Sequence, residues 1–211
     1  MFSISGVGVA EVAYSHFSVG EAPEPGFERI EGKVDFDTED PVIVAPGEMV
    51  IVSRVQEHSV PVTLAVVEDG ERALPTGPGE EWMLVGAGVF RPIYAGRMRV
   101  SGPTTGLAVP AVAPARLYGL DVEPGEPSIT LDPAVVYEVK VYAQGREDSA
   151  ERFDAAMERE EWGASDGFEA YAIVFRPDGT QQPPARSVEQ NPRERLARER
   201  GRRPTNLTDP P

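Results

Sequence analysis

Cysteine is absent from the 211 residues, and histidine occurs only twice, as His16 and His58. The missing thiols exclude disulfides, thiolate zinc sites, iron–sulfur clusters and cysteine nucleophiles. Two histidines are too few for a histidine-rich metal centre, and they leave little room for a Ser-His-Asp triad. No apolar run approaches the roughly 18 residues of a membrane span, and the first twenty residues contain no Lys or Arg. We therefore expect no signal peptide and no membrane span, and we expect a soluble cytoplasmic protein.

Positive charge is also scarce, because 35 Asp and Glu outnumber 20 Lys and Arg, for a net charge of −15. The excess is uneven: residues 181–211 contain seven arginines against four acids and carry +3. Residues 1–180 therefore hold 13 bases and 31 acids, a net charge of −18. Such acidity disfavours direct binding of nucleic acid or of an anionic membrane. It favours a basic protein partner, or it serves solubility alone.

Glycine and proline are plentiful, with 21 residues each. Because both residues favour turns and interrupt helices, this content argues against a helical bundle. Short stretches of alternating polarity predict strands joined by tight turns. These stretches are residues 9–19, 32–36, 50–55, 60–67, 98–100, 106–109, 128–131, 135–143 and 168–175. With no βαβ rhythm between them, they predict an all-β fold, an antiparallel β-sandwich. The predicted core consists of Val12, Tyr14, Phe36, Val50, Val52, Val62, Leu64, Val139, Val141, Tyr171 and Ile173.

One short helix is predicted at residues 149–162, with Ser149 as its N-cap and Gly163 as its stop. It lies between the last two predicted strands, so we expect an insert in one sandwich domain of residues 1–179. Residues 180–211 contain too few large apolar side chains to order themselves, and they predict a basic, Pro/Arg-rich flexible tail. The Gly/Pro-rich connection at 73–94 has no assignable element.

Motifs that carry chemistry are few in this sequence. It has no G-x-x-x-x-G-K-[ST] loop, and the pair Gly6 and Gly8 lacks the third glycine and the helix of a dinucleotide site. His16 is expected mid-strand in a structural role, and His58 is expected to be exposed in a turn. We therefore predict no catalytic residue, no cofactor and no metal site.

Two groups of acids stand beside aromatic residues that could anchor an interface. They are Asp35, Phe36, Asp37, Glu39 and Asp40, and then Glu158, Glu160, Glu161 and Trp162. The first group begins like a calcium loop, but Asp40 and Pro46 stand where that loop needs Gly and Glu, so a solvated turn is predicted. The second group is either a solvent face of the helix or a partner contact. The nine residues are the candidate partner interface.

The order of the predicted strands matches a known pattern across residues 9–177. Its motifs are VAYSHFSV at 12–19, GKVDF at 32–36, VIVSRV at 50–55, VPVTLAVVEDG at 60–70, ITL at 129–131, YEVKVYAQGR at 137–146 and EAYAIVFRP at 169–177. This order resembles the competence protein J family and a wider set of uncharacterised bacterial proteins. Members of that family are small inhibitors of an associated DNA nuclease, so the resemblance implies a binding protein without catalytic residues. The inserts at 73–96 and 101–127, the helix and the basic tail depart from the pattern and leave the partner open.

The sequence thus predicts a non-enzymatic acidic binding protein, an inhibitor or immunity-type partner of a nuclease or of another basic effector. One alternative is a structural or decoration component of a larger assembly, since an all-β body with an extended arm fits that class too. A second alternative is a carboxylate-based hydrolase, because two acids and a water suffice for some glycosidases. The oligomeric state stays open.

Overall fold

Fifteen β-strands and one helix form the regular structure of the residues that the computed structural model describes, which are 2–22, 38–67, 78–160 and 167–183. The strands are β1 (Phe2–Ile4), β2 (Gly8–Val12), β3 (His16–Glu21), β4 (Val42–Ala45), β5 (Glu48–Val52), β6 (His58–Val67), β7 (Met83–Phe90), β8 (Arg97–Gly102), β9 (Gly106–Leu107), β10 (Val109–Pro110), β11 (Ala115–Leu117), β12 (Leu120–Val122), β13 (Ser128–Thr130), β14 (Val135–Gln144) and β15 (Ala170–Gln181). Helix α1 (Ser149–Glu158) connects β14 to β15. The predicted all-β sandwich with a single short helix is confirmed within these ranges.

Two sheets pack face to face. The larger sheet has the order β10-β2-β6-β15-β14-β7, and β1 pairs with β6 on the same edge as β2. Its pairs are antiparallel except for β6 and β15, which run parallel. The smaller sheet has the order β13-β8-β3-β5-β4, with β9 paired to β8, and all of its pairs are antiparallel. A separate hairpin, β11–β12, contributes Leu117 and Val122 to a second apolar cluster with larger-sheet residues such as Ala172.

The main core lies between the two sheets and follows the period of two that strands impose on their side chains. In β14, Tyr137, Val139 and Val141 face inward, as the alternation predicts. Most of the predicted core is confirmed as buried: Val12, Val50, Val62, Leu64, Val139, Val141, Tyr171 and Ile173. Val52 is only partly buried, and Phe36 lies outside the described residues.

Tyr14 is not a core residue, because the predicted strand at 9–19 is in fact two strands that belong to different sheets. Tyr14 and Ser15 form a two-residue turn, with φ of 55° and 62°, and the backbones of Ala13 and His16 bond to each other across it. Tyr14 sits at the tip of this turn and is 70% exposed. Only a small fraction of non-glycine residues adopt positive φ. Because neither glycine nor asparagine stands at this turn, the sequence did not indicate the reversal of the chain.

Three other strand predictions change in the structure. The unassigned connection at 73–94 contains β7, an eight-residue strand at one edge of the larger sheet. The predicted strand at 50–55 is β5, which begins at Glu48 and ends at Val52. The stretch at 106–109 divides into β9 in the smaller sheet and β10 in the larger.

The predicted helix and tail boundaries also shift. Helix α1 ends at Glu158, and Asp148 rather than Ser149 occupies the N-cap position. Strand β15 continues to Gln181, one residue beyond the predicted start of the tail at Thr180. The predicted strand at 32–36 and the chain after Pro183 lie outside the described residues, so the tail stays a prediction. No described helix is long and apolar enough to cross a membrane.

The sandwich closes where β7 meets β4 of the other sheet, and glycines make this close approach possible. A Cβ built on Gly86 would lie 2.5 Å from Val42 Cγ2, and one on Gly88 would lie 2.7 Å from Val44 Cγ2. Val42 and Val44 are stiff at χ1 and cannot swing away freely. The two glycines therefore allow β7 to approach β4 more closely than it could if these positions carried side chains.

Replacing Gly86 with alanine is expected to destabilise the protein by about 1–3 kcal/mol, the usual cost of overpacking a filled core. The matched control is Gly20→Ala in β3, where the new Cβ would meet nothing closer than 3.4 Å. Urea denaturation of both variants measures the difference. A Gly86→Ala variant as stable as Gly20→Ala would show that β4 and β7 do not pack this closely.

Candidate functional site

Three segments of the chain meet at the end of the sandwich where α1 lies. The Arg146 guanidinium donates a hydrogen bond to the Val52 carbonyl over 2.8 Å, and the Val52 amide donates to the Pro41 carbonyl over 2.8 Å. Residues 38–41, the loop 53–57 and the segment 145–160 are therefore neighbours. The exposed acids of these segments, which we call the acidic end, are Glu39, Asp40, Glu57, Glu147, Asp148, Glu151, Asp154, Glu158 and Glu160.

Helix α1 presents part of the acidic end as an ordered face. Glu151, Asp154 and Glu158 are exposed and stand three and four residues apart, the spacing that puts side chains on one side of a helix. The other side of α1 packs on the sandwich, where Ala156 is buried with Val55 and Phe168. The helix thus directs three carboxylates toward solvent, while its opposite side is buried against the sandwich.

Arginines near the acidic end are bound to backbone carbonyls as well as to carboxylates. Arg54 donates to the Glu147 carbonyl over 3.0 Å. Arg152 donates to the carbonyls of Gly145 and Phe168 over 2.6 Å each, and to the Asp148 carboxylate over 3.0 Å. These contacts fix the guanidinium groups of both arginines against the protein surface. The acids of α1 stay exposed, so the acidic end keeps a net negative charge.

The two predicted acid clusters have a clear placement where they are described. Glu39, Asp40, Glu158 and Glu160 are all exposed, and the contacts through Val52 bring their segments to the same end of the molecule. Asp35, Phe36, Asp37, Glu161 and Trp162 lie outside the described residues. Among the residues that are described, no group of three or more His, Asp or Glu is arranged to hold a metal ion. Partner binding by these acids stays a prediction.

A buried carboxylate beneath α1 ties the acidic end to the sheets, and sequence reasoning did not find it. Glu169 is 1% exposed. Its Oε1 accepts hydrogen bonds from the Ser149 hydroxyl (2.6 Å) and the Arg54 amide (3.2 Å). Its Oε2 accepts a hydrogen bond from the Tyr171 hydroxyl and lies 3.5 Å from Arg146 Nη1. Ser149 is thus the first residue of α1, and its hydroxyl binds Glu169.

The surroundings of Glu169 decide its protonation. Burial by itself would raise the pKa of this carboxyl, but hydrogen bonds from Ser149, Tyr171 and Ser53, together with the Arg146 charge, lower the pKa below its usual value. Burial, followed by the Glu169 charge, raises the pKa of Tyr171. Glu169 is thus a buried anion and Tyr171 a neutral donor at neutral pH.

Ser53, His58 and Glu169 are the residue types of a catalytic triad, but their arrangement differs from one. Ser53 Oγ lies 2.9 Å from His58 Nε2, while Glu169 is hydrogen-bonded on the serine side. In a triad the acid orients the histidine through its other nitrogen. All three residues are buried, so a substrate would not reach the serine hydroxyl.

Both histidines differ from their predicted settings. His58, expected to be exposed in a turn, is 3% exposed. It is the first residue of β6, and the alternation that turns Val60 inward also turns His58 inward, where its ring packs against Phe168. His16 begins β3 rather than lying mid-strand, and its Nδ1 is 3.1 Å from the Tyr14 carbonyl. Both histidines contact the turns at the α1 end of the sandwich.

Comparison with known proteins adds little to this geometry. No protein-family model matches the chain, and no curated protein does. A solved structure titled "Crocagin biosynthetic gene J" is similar at a TM-score of 0.38 and 11% sequence identity, over 84% of this chain and 99% of that chain. A likeness of this size carries no argument about function.

Proposed function

We propose that this protein is a non-enzymatic binding protein whose acidic end contacts a basic protein partner. The observation that carries the proposal is the row of exposed carboxylates on α1, Glu151, Asp154 and Glu158, on a helix whose other side is anchored in the sandwich. Exposed charges fixed on a rigid element can complement a partner without losing much conformational freedom on binding.

The proposed partner is a DNA nuclease, as the resemblance to the competence protein J family implies. A DNA-cleaving enzyme needs a positively charged groove, because Lys and Arg neutralise the phosphates that it holds. Carboxylates of the acidic end would occupy phosphate positions in such a groove and compete with DNA. Long-range attraction between opposite charges would also speed the encounter.

The burial of Ser53, His58 and Glu169 supports the non-enzymatic part of this proposal. This set contains the buried nucleophile–base pair Ser53–His58, and it serves to fix the loop 53–57 and the start of α1. A catalytic nucleophile must reach its substrate, so the cluster fits a structural role better.

Neutralising the helix acids together, as Glu151→Gln, Asp154→Asn and Glu158→Gln, is expected to slow association about tenfold at low salt, because steering charges act on the on-rate. The difference from wild type should shrink toward about 0.5 M salt, where screening is strong. The full chain is immobilised and used to capture proteins from the cells that express it. The bound fraction is assayed for DNA cleavage and for inhibition of that cleavage by added free chain. Rates of association of the captured partner with the wild-type chain and with the triple variant are then measured across salt concentrations.

The matched control neutralises three acids away from the acidic end, as Glu48→Gln, Asp121→Asn and Glu123→Gln. It should associate like wild type. A bound fraction without DNA-cleaving activity would contradict the nuclease as partner. Association that is indifferent to salt would contradict the charge mechanism, and equal slowing of both variants would assign the effect to net charge rather than to the acidic end.

A further inference from the structure

A groove of about 680 Å³ crosses the outer face of the larger sheet, apart from the α1 carboxylates. Its floor is formed by outward-facing residues of neighbouring strands, including Val9, Ser59, Pro61 and Thr63. Its walls are the segment 109–116 and the side chain of Trp82. The volume lies in the range of roughly 300–1,000 Å³ that is typical of small-molecule sites.

The groove differs in character from the rest of this acidic protein. The wall segment 109–115 reads VPAVAPA and contributes only apolar side chains. The charged residues among those that line the groove are Glu81 and Arg116, whose charges are opposite. Glu81 also accepts a hydrogen bond from Gln144 Nε2 over 2.7 Å. An uncharged ligand therefore suits the groove, whereas the surrounding acidity disfavours an anion.

Thr63 supplies a hydroxyl group to the floor of the groove. The residue is 2% exposed and faces outward from β6, because Val62 and Leu64 on either side of it face the core. It lines the groove, so its hydroxyl is a polar group that a bound molecule can contact. A ligand atom that bonds to this hydroxyl would gain the affinity of one neutral hydrogen bond.

From these features we infer that the groove is a binding site for an uncharged, largely apolar small molecule with an aromatic ring and one hydrogen-bonding group. The half-buried Trp82 offers its ring to the aromatic part. Thr63 bonds the polar group, and the small side chains of 109–115 enclose the rest. The site is independent of the proposed nuclease partner, since none of the three α1 carboxylates lines it.

The test uses the full chain and N-phenyl-1-naphthylamine, an uncharged probe with two aromatic units and one N–H, whose fluorescence rises in apolar surroundings. Saturable binding is expected. Thr63→Val removes the hydroxyl at nearly constant volume and should raise the dissociation constant about fivefold, the effect of one neutral hydrogen bond. Thr130→Val, at an exposed position of β13, is the matched control and should bind as wild type does.

Two further measurements keep the site and its ligand class falsifiable. Ser59→Phe fills the floor of the groove and should abolish binding, with thermal unfolding used to confirm that the variant is folded. The sulfonated analogue 1-anilinonaphthalene-8-sulfonate should bind at least about tenfold more weakly, because its charge faces an acidic protein. Absence of saturable binding, or unchanged binding by folded Ser59→Phe and Thr63→Val, would overturn the site. Equal or tighter binding of the sulfonate would overturn the uncharged class.

Discussion

Replacing Glu169 with alanine is expected to lower the free energy of unfolding by about 3–5 kcal/mol, the usual cost of leaving one partner of a buried ion pair alone. The substitution strands the Arg146 guanidinium, whose side chain is only 12% exposed. It also removes the acceptor of the Ser149 and Tyr171 hydroxyls and of the Arg54 amide. Chemical denaturation of wild type and variant measures the loss.

The matched control is Asp148→Asn. Asp148 also pairs with an arginine, at 3.0 Å from Arg152, but the two side chains are 61% and 40% exposed. Exposed pairs contribute about 0–1 kcal/mol, so this variant should stay close to wild type. A Glu169→Ala variant no less stable than Asp148→Asn would show that the buried carboxylate does not hold this end of the sandwich together.

The same carboxylate predicts how stability depends on pH. The pKa of Glu169 in the folded protein is lowered from its ordinary value of 4.5, so folding favours the ionised form. Its stabilisation is complete above the unfolded-state value and is lost as the pH falls through the folded-state pKa. The stability gap between wild type and Glu169→Gln should therefore be constant near neutral pH and narrow in acid. A gap that widens in acid would contradict the lowered pKa.

The strands could be predicted from the sequence wherever one face is buried and the other is not. In β14 the period of two assigned Tyr137, Val139 and Val141 to the core, and the structure agrees. Burial determines at each strand position whether the side chain is apolar or polar, so the buried face can be read from the local sequence. The pattern failed at Tyr14 and Ser15, where the alternation of the sequence continues through a turn. Both turn residues have positive φ, and backbone bonds between Ala13 and His16 close the turn.

Strand β7 was missed for a related reason. Its sequence, MLVGAGVF, has glycines where the inward side chains should stand, because β4 lies too close for them. Sequence patterns treat such glycines as turn signals. Only the contact with Val42 and Val44 reveals that they belong to a strand.

The acids of the acidic end were visible in the sequence as clusters, but their convergence was not. Glu39 and Glu158 are far apart in the chain, and only the fold brings their segments to one end. The Glu169 network was missed because its bonds to Arg54 and Arg146 join distant residues. One local signal existed: Glu169 is the single charged residue of the apolar stretch FEAYAIVF, where an ionised side chain must find partners.

The network and the proposed interface are physically coupled. Ser149 begins α1 and bonds Glu169, while Arg54 bonds both the Glu169 carboxylate and the Glu147 carbonyl. Loss of Glu169 should therefore loosen the helix that carries Glu151, Asp154 and Glu158. Binding defects of Glu169 variants would be indirect, whereas the helix-acid variants leave this network intact and test the surface itself.

The second large effect is expected far from α1, at Gly96. This residue has a φ of +76°, and a Cβ added to it would lie 2.0 Å from the Leu131 carbonyl oxygen. Its own amide donates to Glu21 Oε1 over 2.7 Å, and its carbonyl accepts from the Leu131 amide over 2.9 Å. Because the colliding atom belongs to the backbone, no side-chain rotation can relieve the contact.

Gly96→Ala should therefore cost about 4 kcal/mol or more, a loss that few single substitutions reach. The matched control is Gly106→Ala, whose φ is +85° but whose new Cβ would meet nothing within 4 Å. That variant isolates the strain of the left-handed conformation, about 1–2 kcal/mol. Urea midpoints of the two variants give the cost of the collision by difference. If the two variants differ by less than about 1 kcal/mol, steric exclusion cannot be what demands glycine at position 96, and the backbone conformation alone would explain it.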